Sequence, residues 1–101
     1  MGGISIIAKR LRQARERAGD LSQAQLGTRA GIVSGAGTRM CQYENDKHSP
    51  NLLTVTRIGA ALHIPAPYFY CEDDCLADLI LKFGTLDQAQ KRRLLAFVDE
   101  L

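Results

Sequence analysis

Cysteine is scarce in this chain and odd in number. Cys41, Cys71 and Cys75 give no paired framework of the kind that staples small secreted domains, so reduced thiols are expected. No apolar run approaches the roughly 18 residues a membrane-spanning helix needs. Met1 to Ile7 is too short and too poorly flanked for a secretory signal, which leaves a cytoplasmic location as the expectation. There is no glycine-rich phosphate loop, and His48 and His63 stand apart from any serine, cysteine or carboxylate arrangement that suggests catalysis. An enzyme is therefore disfavoured. Cys71 and Cys75 lie four apart near Glu72, Asp73, Asp74 and His63, yet without a second Cys or His pair the spacing is weak for a metal. No metal and no cofactor is expected, and Cys75 reads as a small buried residue.

With 101 residues, 46% hydrophobic and 24% charged, the chain fits one ordinary domain with a short appended arm. Its net charge of +2 hides an asymmetry. Up to Arg57 nine basic residues face four acids, a charge of +5, whereas from Ile58 onward four bases face seven acids, a charge of −3. A polyanion would choose the first part.

Apolar periodicity predicts helices throughout, and no segment reads as a convincing strand. Ile7, Leu11, Ala14 and Ala18 form the stripe of a first helix, ended by Gly19. Ser22 to Gln25 is a capping box, with Leu21 and Leu26 as the hydrophobic staple of a second helix that stops at Gly31. Residues 32–37 are poor in large side chains and read as a loop leading into a weakly nucleated third helix, where Met40 and Tyr43 share a face. Asn51 caps a fourth helix with a core stripe of Leu52, Val55, Ile58 and Leu62. Pro65 and Pro67 end it, and a short turn with three aromatics follows. Leu76, Leu79, Ile80 and Phe83 form the next stripe, closed by Gly84. Thr85 to Gln88 then reads as a second capping box, ahead of a last helix carrying Leu94, Phe97, Val98 and Leu101.

From Gln23 to Glu44 the pattern becomes specific: a helix with a small residue at Gly27, a turn glycine at Gly31, then a helix ending in Tyr43-Glu44-Asn45. This resembles the helix-turn-helix of the phage repressor and Cro type, the XRE family of transcriptional regulators. The wider likeness runs from Ile7 to Tyr70 and includes Leu11-Arg12, Arg15, Leu21-Ser22-Gln23, Lys47, Pro50 and the run from Thr54 to Leu62. The resemblance implies an all-α fold: a lambda-repressor-like DNA-binding domain of about five helices over residues 1–70, with two additional C-terminal helices over residues 71–101. It implies a DNA-binding transcription regulator, a repressor of bacterial or phage type, that inserts the helix around Ala36 to Tyr43 into a major groove.

By that resemblance Thr38, Arg39 and Gln42 contact bases, with Arg39 suited to guanine and Gln42 to adenine. Gln23, Asn45 and Lys47 contact phosphates, Arg10 and Arg12 being weaker candidates. Arg15 and Glu44 form an ion pair tying the first helix to the end of the third. Gly27 lies where two helices cross closely, with Leu26 and Met40 beneath and Gly37 on the solvent face beside Cys41. The usual family spacing from the turn glycine places the buried residue of the recognition helix at Gly37, and only Met40, three positions on, can fill that role. The turn is therefore longer than usual: a longer rigid turn is the plainer account, a turn that orders only on DNA the other.

The expected partners are double-stranded DNA and a second copy of the chain, paired through the apolar stripes of the C-terminal helices. In the alternative these helices fold back on the domain. A second class of function remains open: a protein-interaction module such as an antitoxin or adaptor, which binds a protein partner through the C-terminal helices and DNA only secondarily.

Overall fold

The computed structural model describes residues 4–101, which form six α-helices, one 3₁₀ turn and no strand. The helices are α1 (Ile6–Arg17), α2 (Gln23–Arg29), α3 (Ala36–Glu44), α4 (Leu52–Leu62), α5 (Asp74–Gly84) and α6 (Gln88–Asp99), with the 3₁₀ turn at Ala66–Tyr70 between α4 and α5. The all-helical expectation therefore holds.

Local chemistry sets most of the boundaries. Ser5 caps α1 by accepting the Ala8 N–H, and Gly19 beyond its end takes the left-handed backbone, φ +92°, that a β-carbon disfavours. At α2 the capping box closes both ways: the Gln25 N–H donates to Ser22 Oγ at 3.0 Å and the Ser22 N–H to Gln25 Oε1 at 2.8 Å. Asn51 caps α4 through the Thr54 N–H, and Asp73 caps α5 through the Leu76 N–H.

One core forms where α1, α2, α3 and α4 meet the 3₁₀ turn. Leu11, Leu26, Met40, Val55, Ile58 and Phe69 are its fully buried members. Leu21 joins Leu26 in it, so the staple fixes the angle at which the chain enters α2. Tyr68 and Phe69 stack edge to face, ring centroids 5.1 Å apart, and seal the far side.

Several details differ from the sequence reading. Leu52 is exposed rather than part of the α4 stripe, because it is the first residue of α4 and lies ahead of Val55 and Ile58, where the helix enters the core. On α5 the core takes Ala77 and Leu81, while Leu76 and Leu79 stay about half exposed. A small residue allows α5 to approach the 3₁₀ turn closely, which turns the leucine edge away. Cys75, beside Leu76, is exposed. Thr85 caps the end of α5, its hydroxyl donating to Lys82 O at 2.7 Å, and the box of α6 begins two residues later, at Asp87 and Gln90. Gly84 is the last residue of α5 and acts through space, since a β-carbon there would lie 2.7 Å from Pro65 Cδ.

The crossing of α2 on α3 is as tight. A β-carbon at Gly27 would lie 2.9 Å from both Cβ and the carbonyl oxygen of Ala36 and 3.0 Å from Met40 Cγ. Gly37 faces α2 rather than solvent, its β-position 3.3 Å from Ala24 Cβ, because the longer turn brings the first residues of α3 against α2. Gly27→Val is expected to lower stability by about 2 kcal/mol, the cost of overpacking two helices that cannot part. A shift of the urea midpoint measures it; an unchanged midpoint would mean the helices have room to separate.

Candidate nucleic-acid interface

The third helix emerges from the α2–α3 crossing with its buried side fixed and its opposite edge open. Met40 and Glu44 are buried; Thr38 and Arg39 are exposed, and Cys41, Gln42 and Tyr43 are partly so. Gly35 precedes the helix in the left-handed conformation, φ +66°, and its carbonyl accepts the Arg39 N–H at 2.8 Å. With no side chain capping this end of α3, the preceding turn is held by its backbone. The Ile32 N–H donates to Gly27 O at 3.0 Å, and Ile32 packs against the core.

The base of α3 is locked by a buried carboxylate. The Glu44 side chain is wholly buried. Its Oε2 accepts Arg15 Nε at 2.7 Å, and its Oε1 accepts Arg15 Nη2 at 3.0 Å and Gln23 Nε2 at 3.2 Å. Arg15 also donates to Leu21 O at 3.2 Å, so one guanidinium joins α1, the entry to α2 and the end of α3. The bond to Glu44 pushes the Arg15 pKa above its ordinary value. Bidentate geometry of this kind fixes orientation as much as energy.

Gln23 thus spends one amide N–H on Glu44. Asn45 is also engaged: its Oδ1 accepts Arg12 Nη2 at 3.1 Å while its Nδ2 donates to Cys41 Sγ at 3.2 Å. Lys47 is exposed in the loop after α3, and its N–H donates to Gln42 O at 2.8 Å. Asp46 before it has left-handed backbone, φ +61°, and its carboxylate accepts the Ser5 N–H at 3.0 Å. These bonds hold the loop against the start of α1.

Arg10 belongs elsewhere. It is 3% exposed and donates to Cys71 O at 2.9 Å, Glu72 O at 3.3 Å and Gln13 Oε1 at 3.0 Å. Its guanidinium pairs with Asp74 at 3.0 Å and lies 5.5 Å from the Tyr68 ring centroid. That hydrogen bond holds the Asp74 carboxyl below the usual carboxylate range, while burial raises the Tyr68 hydroxyl. Arg10 therefore clamps α1 to the start of α5 and is closed to a phosphate.

Sequence reasoning overlooked a cleft between the turn, α3 and α4, where Val33, Ser34, Arg39, Thr54 and Arg57 come together. The only available signal was that Arg57 falls between the buried positions Val55 and Ile58, off the core stripe. Among the described residues neither arginine has a carboxylate within 4.0 Å. No group of three or more potential metal ligands gathers among these residues, and no helix of theirs is long and apolar enough to cross a membrane.

Among solved structures, the crystal structure of the transcriptional regulator BswR superposes with a TM-score of 0.81, at 43% sequence identity over 93% of this chain and 93% of that one. This chain belongs to the same family as BswR. No protein-family model matches it, and the comparison with curated proteins finds no match. The match covers 93% of this chain, more than residues 1–70 alone could supply.

Proposed function

We propose that this chain is a sequence-specific DNA-binding transcription regulator of the repressor and Cro type, which places α3 in a major groove and represses where its operator overlaps a promoter. The observation that carries the reading is the exposed edge of α3, with Thr38 and Arg39 open and Gln42 partly so, on a helix whose opposite side is anchored by Met40 and Glu44. Its relation to a named transcriptional regulator supports the same function. Thr38, Arg39 and Gln42 would meet base edges. Lys47, Asn45 and the second amide N–H of Gln23 would meet phosphates on either side.

Residues 1–70 would form the DNA-binding part and residues 71–101 a dimerisation element. Two copies related by a two-fold axis would read a palindrome whose half-sites lie about one helical turn apart. The apolar face left on α5 and α6 supports this pairing, and a foreign protein on that face would be the mark of an adaptor.

Titration of a selected operator and a random duplex at several salt concentrations tests the assignment. Lys47→Ala should weaken binding to both alike and lower the salt slope by about 1. Arg39→Ala should mainly relax sequence preference, by about 1–3 kcal/mol at one base pair. If the two variants behave identically on both duplexes, the division of roles is wrong.

A further inference from the structure

Among the described residues the most exposed large apolar side chain is Val33, 100% exposed in the turn before α3. Its orientation follows from its neighbours. Ile32 is drawn inward against the core, and Gly31 and Gly35 on either side take left-handed backbone, φ +88° and +66°, turning the chain sharply before and after Val33. The hydrogen bonds from Ile32 to Gly27 and from Arg39 to Gly35 fasten both ends of the segment. The β-branched side chain is thereby presented outward from a turn held at both ends, beside the start of the helix assigned to the major groove.

The surroundings indicate what it would meet. Val33 borders the cleft that also holds Arg39 and Arg57, two cations without carboxylate partners among the described residues, a setting complementary to a polyanion. In the major groove the apolar group on base edges is the thymine C5 methyl. We propose that Val33 reads a thymine methyl at the edge of each half-site, while Arg39 and Arg57 flank it on the same strand or its complement. Specificity in this protein would then begin in the long turn, ahead of α3. The proposal rests on the DNA-binding reading above.

The test uses the full chain and its selected operator, with each thymine replaced in turn by deoxyuridine, which removes the methyl and nothing else. Wild type should lose about fourfold in affinity per half-site at one position, the fold-change expected for one buried methyl group. Val33→Ala should bind weaker than wild type on the thymine duplex and should no longer distinguish thymine from uracil at that position, with its melting temperature unchanged. A Val33→Ala protein that keeps the full penalty for deoxyuridine, or a wild type indifferent to deoxyuridine everywhere, overturns the contact and leaves the DNA-binding reading intact. Absence of wild-type binding to any selected duplex overturns that reading and the contact with it.

Discussion

Glu44→Ala is expected to lower the melting temperature by roughly 10–20 °C, corresponding to about 3 kcal/mol in a domain of this size. The cause is what remains. Arg15 is left with its side chain one-fifth exposed and keeps only the carbonyl of Leu21, while Gln23 loses its acceptor. A charge held this far from water without its counter-ion costs more than the pair contributes when intact. Because Glu44 closes the C-terminal end of α3, duplex affinity should fall as well. Glu44→Gln keeps one acceptor oxygen and should recover part of the melting temperature. Thermal melting followed by circular dichroism decides the matter: an unchanged midpoint with lost DNA binding would place Glu44 at the nucleic acid instead of in the frame.

Leu95→Glu combined with Val98→Glu should halve the mass in solution, from a dimer to a single chain of 11.1 kDa, and reduce operator affinity by about a hundredfold through loss of avidity. In the single chain no residue of α6 is buried. Leu95 and Phe97 are 58% and 59% exposed, and an apolar groove lined by Pro65, Leu79, Ile80, Phe83, Leu95 and Val98 runs between α5, α6 and the prolines at the start of the 3₁₀ turn. Soluble monomers rarely leave so continuous an apolar surface open to water. In the proposed dimer a two-fold partner would cover it with its own copy, an isologous contact that closes on itself. Both substituted side chains are at least half exposed or nearly so, hence the fold of each chain should survive. Light scattering reads the mass: a wild type of single-chain mass, or a double variant that remains dimeric, removes this face from the assembly.

Where a residue acts within its own helix, its role is readable from order along the chain. Ser22 with Gln25, Asn51, and the glycines after α1 and α2 mark boundaries because capping is a contact between residues three or four apart. Long-range roles carry no such mark. Arg10 looks like any helix-surface cation, and only folding brings it to carbonyls at Cys71 and Glu72. On α5 two faces are apolar, and periodicity alone does not tell whether the leucines or the alanine side turns inward; the fold spends Ala77 on close packing. Thr85 shows the limit of letter patterns, since the same hydroxyl can finish one helix or begin the next. In the candidate interface, the positions of Thr38 and Arg39 follow from helix geometry once Met40 is known to be buried. The grouping of Arg57 with the turn depends on how α4 lies across it.

At Gly27 and Gly37 helices α2 and α3 meet across alanine β-carbons, main chain and the Met40 side chain. Neither glycine position has a side chain whose replacement could tilt α3 a little at a time, so any enlargement there presses on the seating of the helix directly. Thr38, Arg39 and Gln42 project from the other side and take no part in the seating. Under the proposed function, base preference would change through those side chains and through Val33 while the seating of α3 stays in place, so new binding preferences would arise without redesigning the scaffold.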